Sequence, residues 1–201
     1  MAGFFRKLFG SDPKSALECL QRGYGYSQRS ELNKAIGEFS EAIRLDPRCA
    51  DAYRARGVEY DKQGKYAPAL ADLTRAIELN RNDAVAYGNR GLVYSDKGEL
   101  DKAIADYTEA IRLDPAMFAA YSLRGDAYGR KGENDRAIAD YSKVIELKPD
   151  YAEAYHGRAI AHYYLKAYDK AWADVKKCRE LGGAVDTKLV EELTRASGRS
   201  E

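Results

Sequence analysis

The sequence predicts an all-α fold: an α-solenoid of five helical hairpins finished by a C-terminal capping helix. Three observations carry this. A frame of 34 residues runs five times in phase, over 16–49, 50–83, 84–117, 118–151 and 152–185, and repetition at such a period marks stacked supersecondary units. Each copy holds two stretches with apolar residues at helical spacing, clearest in AVAYGNRGLVYSDKGELDKAIADYTEAIRLDPAM from Ala84 to Met117. Each also carries stops. Gly64, Gly98 and Gly132 stand where a first helix must end in a left-handed residue, and Pro47, Pro115 and Pro149 follow second helices.

Composition narrows the function classes. With 32% charged and 45% apolar residues, the 201-residue chain reads as soluble and globular. Its 33 Lys and Arg nearly balance 32 Asp and Glu, so no basic field draws it to phosphates and no nucleic-acid partner is expected. Cys19, Cys49 and Cys178 are odd in number and lack C-x-x-C spacing. They argue against a disulfide framework or zinc site and point to a reducing cytoplasm. No apolar run reaches the roughly 18 residues that a membrane-spanning helix needs.

Residues 1–15 read as an amphipathic N-terminal tail. Phe4, Phe5, Leu8 and Phe9 fall on one side of a helix, with Arg6 and Lys7 between them. The two cations interrupt the apolar run that a secretory signal requires. Two readings stand: a mobile tail or flap over the first copy's open face, or weak membrane contact or self-association through these four side chains. Asp12-Pro13 then resembles an N-cap and first helical position, opening the first long helix.

Within the frame, positions numbered 1 to 34 have distinct jobs. Small residues at position 8 (Gly23, Gly57, Gly91, Gly125, Ala159) and position 20 (Ala35, Ala69, Ala103, Ala137, Ala171) let two helices approach. Large residues at 4, 11 and 24, such as Tyr87, Tyr94 and Tyr107, are expected to fill the core. Position 7 is always arginine: Arg22, Arg56, Arg90, Arg124 and Arg158. Position 23 is always acidic: Glu38, Asp72, Asp106, Asp140 and Asp174. Both lie on faces that meet inside a hairpin, so an internal ladder of ion pairs is expected rather than a row of free guanidinium groups. After Gly182-Gly183, residues 186–201 place Leu189, Val190 and Leu193 on one stripe, a capping helix with a frayed end.

This frame of small and aromatic residues closed by Pro resembles the tetratricopeptide repeat (TPR) family over residues 16–185. Departures sit at the ends, with Cys19 and Ser30 in the first copy and His162, Lys166 and Cys178 in the last. The resemblance implies a right-handed superhelix whose inner wall is lined by positions 2, 5, 9, 12 and 13. It therefore implies partner-binding candidates Leu20 and Tyr24 in copy one, Arg54 and Val58 in copy two, and Asn89 and Leu92 in copy three. Copy four adds Asp126 and Arg130, and copy five adds His156, Ile160, Tyr163 and Tyr164. The family subtype that clamps the carboxylate tail of chaperones is not expected. In its best register the five clamp positions hold Arg54, Val58, Asn89, Ala119 and Leu123, of which only two match.

Catalysis finds little support in the residues. His156 and His162 are six apart on one helix, about 120° round its axis, and cannot jointly hold a metal. The glycines follow the repeat period rather than bunching into a phosphate loop. The repeats leave 15 residues before them and 16 after, so no catalytic domain is expected, and no cofactor. The expected function is a protein-interaction adaptor whose concave groove takes an extended segment or helix of a protein or peptide ligand. The alternative is a self-assembling or membrane-tethered scaffold using the N-terminal apolar segment.

Overall fold

Eleven helices and no strand make up the described residues, 15–199 of the computed structural model. They are α1 (Ala16–Gln28), α2 (Leu32–Leu45), α3 (Ala50–Lys62), α4 (Tyr66–Leu79), α5 (Ala84–Asp96), α6 (Leu100–Leu113), α7 (Phe118–Arg130), α8 (Asn134–Leu147), α9 (Ala152–Tyr164), α10 (Tyr168–Glu180) and α11 (Thr187–Ser197). Phe4, Phe5, Leu8, Phe9 and Asp12-Pro13 lie outside the described residues. The first long helix begins at Ala16, not at Pro13. Ser15 is its N-cap: the Ser15 hydroxyl accepts from the Glu18 amide and the Glu18 carboxylate accepts from the Ser15 amide. That reciprocal box satisfies two amides at once, which a lone Asp12 could not.

All five first helices stop the same way. The amide five residues along returns to the carbonyl of Tyr26, Tyr60, Tyr94, Tyr128 or His162, at 2.8–3.0 Å. The turn needs a left-handed residue, and Gly64, Gly98 and Gly132 supply it at φ +69°, +78° and +77°. Ser30 and Lys166 hold the same place at φ 59°, a conformation that disfavours a side chain. The second helices α2, α4 and α6 end on an extended residue. The side chains of Asp46, Asn80 and Asp114 accept the amide two residues on, at 2.9–3.1 Å. This explains how Arg81 replaces proline in copy two, since Asn80 turns the chain by itself.

The chain forms two compact units, divided between Val93 and Tyr94 within α5. In the first, α1 pairs with α2, α2 packs on α3, and α3 pairs with α4. Its core runs through Cys19, Ala35, Phe39, Ala42 and Ala52, and then Ala69, Leu73, Ala76 and Ala86, all with no exposed surface. The small residue at position 8 is a steric necessity there: a Cβ on Gly23 would lie 2.4 Å from the Phe39 ring. In the second unit, α6 packs on α7, α7 pairs with α8, α8 packs on α9, and α9 pairs with α10. The capping helix α11 covers the last face, burying Leu189 and Leu193 against Ala159, Ala171 and Val175.

The arginine ladder forms inside the hairpins. Arg56–Asp72, Arg124–Asp140 and Arg158–Asp174 are two-pronged, with every N–O distance between 2.7 and 2.9 Å, and Arg22 Nε donates to Glu38 Oε2 at 3.1 Å. Two features were not foreseen. The guanidinium groups of copies two to five also donate to a hydroxyl at position 25 of the preceding copy: Arg56 to Ser40, Arg90 to Thr74, Arg124 to Thr108 and Arg158 to Ser142. And the tyrosines at 4 and 11 are half-buried rather than core, except Tyr155, which is core as expected. Their rings flank the guanidinium, as Tyr121 and Tyr128 do for Arg124 at 5.7 and 5.9 Å.

Candidate functional site

The inner-wall candidates of copies four and five converge. On α7, Ser122, Asp126, Gly129 and Arg130 recur at helical spacing and so share one stripe. On α9, Glu153, His156, Gly157, Ile160, Ala161 and Tyr164 do the same. The two stripes face each other across a cleft of about 610 Å³, with Asn134, Ala137 and Tyr141 of α8 as its floor and Tyr151 at one end. Five sequence-predicted residues meet here: Asp126, Arg130, His156, Ile160 and Tyr164.

Tyr141 completes the site, although position 24 had been explained as core alone. Its ring is buried between Gly125 and Gly157, so tightly that a Cβ on Gly157 would sit 2.5 Å from Cζ. This passage lets the hydroxyl donate to Asp126 Oδ1 at 2.6 Å. Burial and the neighbouring carboxylate push the phenol's pKa up, so it remains a donor. The Asp126 carboxyl is itself raised above the ordinary value, first by desolvation, with the Tyr141 bond and Arg130 pulling the other way. Asp126 itself is exposed on the α7 wall of the cleft.

The other groups differ in how free they are. Arg130 is exposed and donates to the Ser95 hydroxyl at 2.7 Å and the Ser95 carbonyl at 3.1 Å. Glu153 is exposed, with no hydrogen bond or ion pair among the described residues. His156 Nε2 is shielded from solvent and likewise takes no hydrogen bond among them. Tyr164 is 65% exposed, its ring edge-on to Tyr163 at 5.5 Å. Tyr163 faces away from the main cleft, half-buried against the core under the cap, and borders a smaller hollow with Asp186, Lys188 and Glu192.

The first unit treats its candidates differently. Leu20, expected on the wall, is a core residue packed with Cys19, Phe39 and Ala35, because an apolar side chain beside that cluster gains more by burial than by facing water. Arg54 is held between Asp51 at 2.5 Å and Asp83 at 3.0 Å, so its charge is already answered. Tyr24 keeps 38% of its surface and meets Phe39 edge-on at 5.4 Å. Val58, Asn89 and Leu92 are half-buried. His162 lies apart from His156, buried 3.8 Å from Asp174.

Among the described residues no group of three or more His, Cys, Asp or Glu could hold a metal ion. Nor is any of their helices long and apolar enough to cross a membrane. None of the three cysteines is in a disulfide, and Cys19 and Cys178 are buried.

Family models match much of the chain. One described as TPR repeat matches residues 92–132 and 125–166, and two described as tetratricopeptide repeat match 50–83 and 73–105. No curated protein matches the chain in sequence. Among solved structures it is similar to MamA, at 27% identity and a TM-score of 0.74, covering 80% of this chain and 94% of that one. It is similar to pilF of Pseudomonas aeruginosa at 20% identity and a TM-score of 0.82, covering 91% of this chain and 84% of that one. It also matches YrrB, titled a TPR protein with an unusual peptide-binding site, at 19% identity and a TM-score of 0.71, covering 98% of this chain and 97% of that one. The last two likenesses concern the fold alone.

Proposed function

Because the chain belongs to the tetratricopeptide repeat family, we propose that it is a protein-interaction adaptor whose inner wall takes an extended segment or helix of a partner. The cleft of copies four and five is its principal contact. The observation that carries this is the convergence of Asp126, His156, Ile160 and Tyr164 on one cleft large enough for several side chains. The apolar Ile160 and the tyrosine rings offer anchoring area at small entropic cost, while the exposed Glu153 and Asp126 carboxylates offer acceptors to a bound chain. Nothing here needs a chemical step; the mechanism is display of pre-ordered groups on a rigid scaffold.

The test is a selection of displayed peptides on the full chain, followed by binding measurements on variants. Ile160→Glu and Tyr164→Ala should each weaken the selected peptides by about tenfold or more, while Glu109→Ala, on α6 and outside the cleft lining, leaves them unchanged. Selected peptides indifferent to both cleft variants would overturn the reading.

A further inference from the structure

The cleft is uneven in charge. Its lining holds two carboxylates, Asp126 and Glu153, against one guanidinium, Arg130. That guanidinium is turned to Ser95, where a carbonyl and a hydroxyl take its hydrogens. The carboxylates are less satisfied. Tyr141 occupies Asp126 Oδ1 alone, and neither Asp126 Oδ2 nor Glu153 has a hydrogen-bond partner among the described residues. The adjoining hollow under the cap adds Asp186 and Glu192 against Lys188.

The aromatic lining is suited to the same charge. Tyr151 already receives a cation, with Lys148 Nζ 5.1 Å from its ring centroid, and Tyr164 presents an exposed ring at the other end of α9. Carboxylates and π-faces together favour a cation with an apolar stem, and Ile160 lies where such a stem would run.

We infer that the segment bound in this cleft carries an arginine or lysine whose side chain seats between Asp126 and Glu153. This rests on the reading of the cleft as the partner site and adds the chemistry of the partner. Tyr141 has a positioning part in it: by holding Oδ1, it fixes the Asp126 carboxylate so that Oδ2 is left for the incoming cation. Charge-assisted hydrogen bonds to a carboxylate already oriented by Tyr141 are stronger than neutral ones.

The experiment uses the full chain and a positional-scanning library of extended peptides, one position fixed in turn as arginine, lysine, citrulline, norleucine or glutamate. Arginine and lysine pools should be retained about tenfold over citrulline and norleucine pools, and glutamate pools should be the weakest. Asp126→Asn preserves the acceptor for Tyr141, and Glu153→Gln lies on the exposed surface, so both should fold. Each should remove most of the basic preference, lowering retention of arginine and lysine pools well beyond any change in the norleucine pools. Glu153→Lys should shift preference toward glutamate. Cleft binding, sensitive to Ile160→Glu but with no basic preference, or with a preference that both amide variants keep, overturns this inference and leaves the partner site standing. Absence of any peptide sensitive to Ile160→Glu overturns both.

Discussion

At the scale of single residues, the departures from the repeat frame are informative. Position 11 is tyrosine in four copies and His162 in the fifth, where it is buried against Asp174. Burial pulls the imidazole's pKa below its ordinary 6.5, with the Asp174 carboxylate opposing. The unfolded chain therefore binds that proton more readily than the folded one. The contribution is complete above the unfolded pKa and is lost as pH falls through it toward the lower folded value. We predict that His162→Tyr, which restores the residue of the other copies, flattens this part of the profile. Thermal midpoints of the two proteins, measured between about pH 8 and about pH 5, should diverge toward acid, the variant keeping more of its stability. Parallel profiles would remove His162 from the account. Glu59 is a second departure, 2% exposed where the other copies hold Gly25, Val93, Ala127 and Ala161. Its Oε1 accepts from Ser27 and Lys62, while Oε2 is buried without a partner among the described residues.

At the scale of elements, the hairpin is held by a buried charge in an aromatic sleeve. Arg124 keeps 16% of its side-chain surface and Asp140 keeps 7%. Removing one member strands the other, which costs on the order of 3 kcal/mol or more, whereas replacing both by apolar groups avoids that penalty. Arg124→Leu or Asp140→Leu alone should therefore destabilise more than the two together. A urea titration of the three variants checks this, and simple additivity would refute it. The ladder was legible because arginine and acid recur at fixed positions on facing helices. The hydroxyls at position 25 were not, since a serine or threonine on a helix surface reads as ordinary solvation until a guanidinium is found beside it. Tyr141 was hidden for another reason: a large residue at position 24 is already explained by the core, and only Gly157 on the next helix reveals that its hydroxyl reaches a cleft.

At the scale of the whole molecule, the repeat period alone located the hairpins, because five weak patterns in phase reinforce one another. Which wall residues are free was beyond it. Leu20 and Arg54 occupy wall positions, yet one is taken by the core and the other by two acids. Availability depends on neighbours outside the copy, and periodicity carries no information about those. Arrays of this kind also distribute stability through nearest neighbours. Leu193, fully buried on the cap, should cost about 2–5 kcal/mol when cut to alanine. Hydrogen exchange should show the loss in α9 and α10 while protection in α1 to α3 holds. Uniform loss along the chain would mean a single cooperative block instead.

The guanidinium-to-hydroxyl bond between consecutive copies also bears on how such a chain can change length. Any copy that brings the arginine and leaves a serine or threonine behind reproduces a working joint on both sides, so duplicating residues 50–83 in place would preserve every link: Ser40 would meet one Arg56 and Thr74 the next. The fifth copy breaks the series, with Lys176 standing where the earlier ones carry Ser40, Thr74, Thr108 and Ser142. A copy appended there would press its arginine against an ammonium group rather than an acceptor. The array can be lengthened from within, whereas at that end Lys176 supplies no acceptor and α11 already covers the face.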